Sequence, residues 1–482
     1  MAHNKFLPRV LAAAAAMMLL AGCSSKADPG FSPANPVNIT IWTYYNGEQL
    51  EAFNALVDEF NSTVGKEQGI TVESSSHGSV TDLENNVLAS AEGKVGAEAM
   101  PNIFSAYADT AYALDEMGQI ADLSDYLSEE DRAAFIEDYL SEGDFSGSGS
   151  IKIFPVAKSA ELLFLNETDW EPFAAATGAT YDDLATIEGL VSVAERYYEW
   201  TDAQTPDIPN DGRAFFGRDA MANYMLIGAK QLGCTIFDAQ DSSMTLNFDH
   251  DTVRTLWDNY YVPFIKGYFS ASGRFRSDDV KTGNIIAYVG SSSSATFFPT
   301  QVIADDMDSH DITRKALESP KFADGENYAV QQGAGMVVIN KSDAQVEAAA
   351  RFLKWFTQSD WAIEFSVSSG YLPVTVADNN MVKIEKSSPS MKKGVRKSLN
   401  TAVQTVKANT LYTTRAFETG TQARKKLEYA MSDAAQADRA AVEEALQGGA
   451  TLEEATAEFV SEERFDAWYT QLMNELSEIV GQ

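Results

Sequence analysis

The sequence predicts an α/β protein divided into two or three lobes, and three observations carry that expectation. Strand-like and helix-like periods alternate along most of the chain, the arrangement that sets helices around a mostly parallel sheet. The length of 482 residues, 45% of them apolar, suffices for more than one large core. Beyond Cys23 no run of about 20 apolar residues remains, so nothing after the start of the chain is expected to span a bilayer as a helix.

The first element is a leader. A basic start (Lys5, Arg9) precedes a short apolar run from Val10 to Ala21, which falls short of the ~30 Å hydrocarbon core and ends in small residues ahead of a cleavage point. Residues 1–22 are therefore expected to form a signal peptide. Leu20-Ala21-Gly22-Cys23 resembles the lipobox of bacterial lipoproteins. That resemblance implies cleavage before Cys23, a diacylglyceryl thioether on its sulfur, host-dependent acylation (palmitate, for instance) of its amine, and a lipid anchor. The alternative is an ordinary secretory leader that happens to hold a cysteine. Residues 23–36, rich in Ser, Pro and Gly, read as a flexible tether.

Val37 to Thr43 alternates Val37, Ile39 and Ile41 with polar residues and predicts a strand. Asn46-Gly47 ends it, and Glu48 to Thr63 sets Leu50, Phe53, Leu56, Val57 and Phe60 on one helical face. Ile70 to Glu73 predicts a strand, Asp82 to Glu92 a helix, Asn102 to Tyr107 a strand and Thr110 to Met117 a short helix. Gly143 to Ser150 is a turn, followed by strand-like runs at Ile151 to Pro155 and Glu161 to Asn166 with a crossover between them. Helices are predicted at Leu184 to Thr201, Ala222 to Leu232 and Thr252 to Val262. Ile285 to Gly290 is a strand running into Ser291 to Ser294, where a helix begins. Met336 to Asn340 is a strand and Ala344 to Thr357 an amphipathic helix. Gly370 to Val374 turns into an extended piece, and from Met391 the chain is nearly all helical.

Charge narrows the function. The chain carries 36 Lys+Arg against 70 Asp+Glu, a net charge of −34; without Lys5 and Arg9, 34 against 70 leaves −36. Nucleic acid, whose binding needs basic residues against phosphates, is excluded as a partner. So is an anionic lipid surface bound through the body of the protein. With Cys23 used for lipidation, Cys234 stands alone, so no internal disulfide is expected. His77, His250 and His310 lie far apart in sequence without metal-helix spacing, so no metal and no cofactor are expected.

Five segments in order resemble the extracellular solute-binding proteins (family 1) that serve ABC importers of sugars. They are Ile39-Thr40-Ile41-Trp42 with its helix, Met100 to Phe104 with Gly118 to Leu123, and Phe154-Pro155-Val156 leading to Leu163 to Asn166. Lys281 to Ala287 running into Gly290-Ser291-Ser292 is the fourth, and Gly333 to Met336 through Phe352 to Phe356 to Gly370 to Val374 the fifth. The family commonly has Pro-Asp where this chain has Pro101-Asn102. The resemblance implies a two-lobed, periplasmic-binding-protein-like class II fold with an interlobe ligand cleft and a helical C-terminal segment. It implies lobe 1 at 37–157 and 335–376, lobe 2 at 159–332 and 377–482, and crossovers near Ala157–Ser159, Gly333–Gly335 and Val374–Asn380.

A sugar needs aromatic plates and short polar groups at strand ends and helix starts. Tyr44, Tyr45 and Asn46 follow the first strand, where either tyrosine could stack on a sugar or pack within its lobe. Tyr107 and Asp109 end the third strand; in the maltose-binding relatives an acid here accepts sugar hydroxyls, and the other reading of Asp109 is a helix cap. Ser291, Ser292 and Ser293 offer hydroxyls and backbone donors for sugar oxygens or an anion, or are plain capping residues. Ser159 and Gly333 belong to the crossovers. Arg218, Asp219, Asn223 and Arg415 fall where relatives carry ligand contacts, although arginines so placed often pair with the chain's own acids. Tyr371 sits in a loop near the cleft, while Trp355 and Trp361 read as core.

The expected function is therefore that of a lipid-tethered, monomeric receptor facing the extracellular space or periplasm. It would capture a sugar or oligosaccharide by hinge closure and deliver it to the transmembrane subunits of an ABC permease. An anionic cargo such as glycerol phosphate or a sugar acid, held by Arg218, Arg415 and Lys158, is the alternative. A surface glycosidase would need two placed carboxylates that the sequence does not single out, and no catalytic residue is expected.

Overall fold

The computed structural model describes residues 30–481 apart from 241–242 and 304–308. The leader, Cys23 and the tether up to residue 29 lie outside the described residues. In chain order the strands that build the two main sheets and the hinge are β1 (Val37–Thr43), β2 (Ile70–Ser76), β3 (Ile103–Ala106), β4 (Glu161–Asn166), β5 (Phe216–Arg218), β6 (Ala287–Ser291), β7 (Arg314–Glu318), β8 (Tyr328–Val330), β9 (Gly335–Val338) and β10 (Thr410–Tyr412). The helices that matter for the site are α1 (Gly47–Ser62), α2 (Val80–Ala91), α3 (Ala108–Glu116), α4 (Ile187–Asp202), α5 (Met221–Gln231), α6 (His250–Ile265), α7 (Asp343–Phe356), α8 (Ser359–Ser369), α9 (Lys393–Ala408), α10 (Gly420–Gln447) and α11 (Glu462–Val480).

The first sheet has the order β9-β3-β1-β2. Its three early strands run parallel, with Ile41 opposite Ile103, while the late strand β9 joins antiparallel, with Val338 opposite Ile103. The apolar stripe of α1 buries Phe53, Leu56, Val57 and Phe60. It meets α7 and α8 through aromatic edges, Phe60 against Phe352 and Phe53 against Phe365. The second sheet has the order β7-β4-β6-β5. Here β4 is antiparallel to both neighbours, Leu163 facing Val289 and Leu317, and only β5 runs parallel to β6. The expectation of a mostly parallel sheet therefore describes the first sheet and not the second.

A large core under the second sheet joins α4, α5 and α6 to the C-terminal α10 and α11, burying Leu427, Met431, Phe465, Trp468 and Leu472. The segment Ile151 to Pro155 forms no strand: only Phe154 pairs, with Met336, while Lys152 turns its N–H to Gly143 O instead of extending the ladder. The serines after β6 form a short 3₁₀ turn, Ser292–Thr296, rather than an α-helix. Strand β10, inside the stretch expected to be helical, pairs in parallel with β8.

The chain passes between the two cores at a small hinge. Ser159 donates its N–H to Gln332 O at 2.8 Å, and Lys158 and Leu372 exchange backbone bonds of 3.1 and 2.6 Å. Gly333 has φ +95°, and a Cβ there would stand 3.1 Å from Lys158 Cα, so both its conformation and its close approach require glycine. Of the tether range, Phe31 packs on the first core under the Arg351 guanidinium, and Ser32 and Asn35 exchange backbone hydrogen bonds. Residues 30–36 are thus docked rather than free. Among the described residues no helix is long and apolar enough to cross a membrane.

Candidate functional site

Between the cores lies a cleft with about 620 Å³ of unfilled space. Tyr107, Ala108 and Asp109, at the start of α3, and Glu142 form its first-lobe wall. Asn223, Leu226 and Ile227 on α5, Phe237, and Phe417, Gly420 and Arg424 at the start of α10 face them. Hinge residues 330–332 and 412–414 complete the lining.

Tyr107 occupies the N-cap position of α3, so Asp109 stands in the first turn and does not cap the helix. Its carboxylate receives no hydrogen bond from the described residues and packs against Gly420, where a Cβ would lie 2.2 Å from Asp109 Oδ1. Burial pushes the Asp109 carboxyl up to about 7; Arg424 acts against that rise, and Glu84 and Glu142 add to it. Across the cleft a polar ladder fixes the second wall. Arg218 pairs with Glu161, Asn223 Nδ2 donates to Glu161 Oε1 at 2.7 Å, and Arg424 donates to Asn223 Oδ1. One turn further along α10, Glu428 accepts from the N–H groups of Met221 and Ala222 at 3.1 and 2.8 Å. It thereby holds the start of α5, which follows Ala220 at φ +52°.

Two further cleft-lining groups carry buried polar atoms without a partner among the described residues, Gln331 Nε2 and Gln332 Oε1, and the Thr414 hydroxyl lies beside Tyr412. Buried polar groups are as a rule bonded, so a donor–acceptor set of this kind is what a polar ligand would satisfy. Beside Tyr107, the Tyr44 and Tyr371 hydroxyls lie 3.1 Å apart. Burial raises all three phenols, which keeps them protonated donors.

Of the residues singled out in the sequence, the fold brings Tyr107, Asp109 and Asn223 into the cleft lining, with Tyr44, Tyr371 and Ser293 in a hydrogen-bonded group alongside. Ser292 Oγ donates to Gly370 O at 3.1 Å, and Ser291 and Ser293 bond each other at 2.9 Å, so these serines join β6 to the loop after α8. Tyr45 is 1% exposed and packs on Phe53, Phe365 and Tyr371. It is a core residue and not a plate for ligand. Asn46 is exposed at the start of α1 and caps nothing with its side chain. Ser159 and Gly333 form the hinge itself. Arg218 is spent on Glu161. Asp219, pushed up to about 6 by burial, faces Arg276 and Gly290 away from the cleft. Arg415 is exposed and donates to Phe145 O at 2.8 Å, outside the lining. Glu142, Gln331, Gln332, Tyr412, Thr414, Gly420 and Arg424 were not singled out in the sequence. They come from segments without a local signal, save the acid-free, basic start of α10 at Arg424-Lys425-Lys426, which runs against the helix dipole.

A second cavity, about 500 Å³, lies within the second lobe beside the Arg218–Glu161 pair and shares Ile227 and Val330 with the cleft. It touches only one lobe. On the surface, His250, Glu462 and Asp466 each bring a ligand atom within 4.8 Å of the others, nearer than their sequence separation implied. Glu462 is already paired with Arg254, whose charge opposes a cation there.

The profile described as bacterial extracellular solute-binding protein matches residues 55–388. Among solved structures, the cyclic alpha-maltosyl-1,6-maltose binding protein from Arthrobacter globiformis superposes with a TM-score of 0.65 at 17% identity, over 93% of this chain and 100% of its own. An ABC substrate-binding protein from Listeria monocytogenes in complex with cycloalternan gives 0.65 at 15% identity, over 92% and 99%. A Mycobacterium tuberculosis protein in complex with glycerophosphocholine gives 0.65 at 16%, over 92% and 98%. Among curated protein sequences, none matches the chain.

Proposed function

We propose, from the premise that this chain belongs to the bacterial extracellular solute-binding proteins, that it captures a neutral sugar or oligosaccharide between its lobes and hands it to an ABC permease. The observation that carries the neutral cargo is where the cations are spent. Arg218 pairs with Glu161, Lys158 is fully buried on Glu142 and Gly333 O, and Arg415 bonds Phe145 O. All three groups that would have held an anion are committed elsewhere, and Arg424 stands among Asp109, Glu84 and Glu142. What remains open in the cleft is a carboxylate, amides and hydroxyls, the set that reads sugar hydroxyls.

With the lobes already meeting at Asp109 and Gly420, ligand would sit beside that contact, against Tyr107 and Asp109 of one lobe and Asn223 and the hinge amides of the other, and so stabilise the closed form. The ligand leaves unchanged; no catalysis is assigned. Export, cleavage before Cys23 and a lipid anchor complete the reading, with the protein working as a monomer at the cell envelope. The anionic alternative draws support from the fold's likeness to the glycerophosphocholine-bound protein. A thermal-shift panel of neutral saccharides, sugar acids and glycerol phosphates separates the two. A specific ligand at a hundredfold excess over its Kd stabilises by ~2.7 kcal/mol. Melting raised by phosphorylated compounds alone would overturn the neutral reading.

A further inference from the structure

Glu84 and Asp109 are acids of the first lobe that the second lobe covers. Glu84, on α2, bonds the Thr110 hydroxyl and faces Arg424 and Lys425 on α10. Asp109, on α3, faces Gly420 and Arg424 on α10, Glu84 on α2 and Glu142 from the segment after Ser141, with Tyr107 beside it. Little positive charge is available to either. Arg424 already donates to Asn223, and Glu142 is held by Lys158. Bringing α10 down on the first lobe therefore dehydrates two carboxylates and offers them one shared guanidinium and the exposed Lys425. Gly420 is the contact point: its missing Cβ is what lets the Asp109 carboxylate in.

We infer that lobe closure takes up protons at Asp109 and Glu84, so the empty cleft closes in acid and resists closing at higher pH until a ligand donates hydrogen bonds to Asp109. In the closed form burial raises Asp109 to about 7 and Glu84 above the usual carboxylate range. In the open form, in water, an aspartate titrates near ~3.9. The closed form holds the proton more tightly, so closure is favoured as pH falls from about 7 toward about 4, and above about 7 the cost is full and constant. One such proton changes the closing constant by up to about tenfold per pH unit in that window. Ligand hydroxyls donating to Asp109 favour its charged form, so ligand taken up by the closed, protonated form releases that proton. The coupling goes beyond the cargo reading and rests on it for the movement of the lobes and for Asp109 as a ligand acceptor.

Small-angle scattering on the ligand-free full chain between about pH 5 and about pH 8, at fixed ionic strength, tests it. The radius of gyration is expected to grow with pH in the native chain. Asp109→Asn/Glu84→Gln stays compact throughout, and Gly420→Ala stays extended throughout, with thermal melts verifying that each variant is folded. Scattering independent of pH in the native chain, or a double variant that retains the native response, overturns the coupling. Maltotriose added at about pH 8 separates the two readings. Compaction by maltotriose without any response to pH would overturn the coupling and keep the sugar receptor. A response to pH with no effect of maltotriose or of any other saccharide would support the coupling and remove the sugar receptor.

Discussion

Asp109 combines two properties seldom found together: its carboxylate is half-buried and poorly solvated, and none of the described residues donates a hydrogen bond to it. Hydrogen bonds to a charged group contribute about 1.5–3 kcal/mol each. Replacing Asp109 by Ala is therefore expected to weaken ligand binding by about a hundredfold to ten-thousandfold, through two lost hydroxyl partners. The ligand-free variant should melt at the native temperature or higher at neutral pH, because an unbonded, poorly solvated carboxylate has been removed. Titration calorimetry and a thermal melt measure the pair, and unchanged affinity would take Asp109 out of the site. That Asp109 would border the cleft was legible in the sequence, because it lies where a strand yields to a helix and where the resembling family carries an acid. Tyr45 was misread because adjacent tyrosines point to opposite sides of an extended chain, so one faces the core and its neighbour the cleft edge. Gln331, Thr414 and Arg424 were invisible, since only the completed fold brings the hinge and the start of α10 to α3.

The junction of α5 with α10 is the element on which the second wall depends. Glu428 caps α5 from a neighbouring helix, satisfying N–H groups that follow a residue at φ +52°. Glu428→Ala is expected to cost about 1–2 kcal/mol, the scale of a lost helix cap with its dipole contribution, read as a lower urea midpoint. Affinity should fall with it, because Asn223 sits in the same first turn of α5. At this scale the sequence was most readable where a period was sustained, as in β1, α1, β4 and α7. It failed where pairing replaced period. Ile151 to Pro155 alternates like a strand but pairs only at Phe154, and β10 is too short to interrupt a helical pattern. The antiparallel setting of β4 was equally hidden, for strand direction is a property of the return path and not of composition.

Taken whole, the molecule makes its C-terminal helices part of the second core. Phe465, Trp468, Leu472 and Leu476 of α11 and Leu427 and Met431 of α10 are buried there. Burying each large apolar side chain contributes about 1.5–3 kcal/mol, so six of them match the ~5–15 kcal/mol by which whole domains are stable. A chain ending at Thr419 is thus expected to lose the second lobe and aggregate, as circular dichroism and gel filtration of the truncated protein would record. The α/β class and the division into lobes were readable from length and alternation, whereas the mixed second sheet and the docked residues 30–36 depended on contacts between distant segments. The strand order of the first sheet has one more consequence. Because β9 borders β3 yet follows β4 to β8 of the second lobe in sequence, a polypeptide emerging amino end first leaves the β3 flank bare until that late strand arrives. During synthesis the early strands must wait for this late one, and their uncovered edge is where a holding chaperone would have most to do.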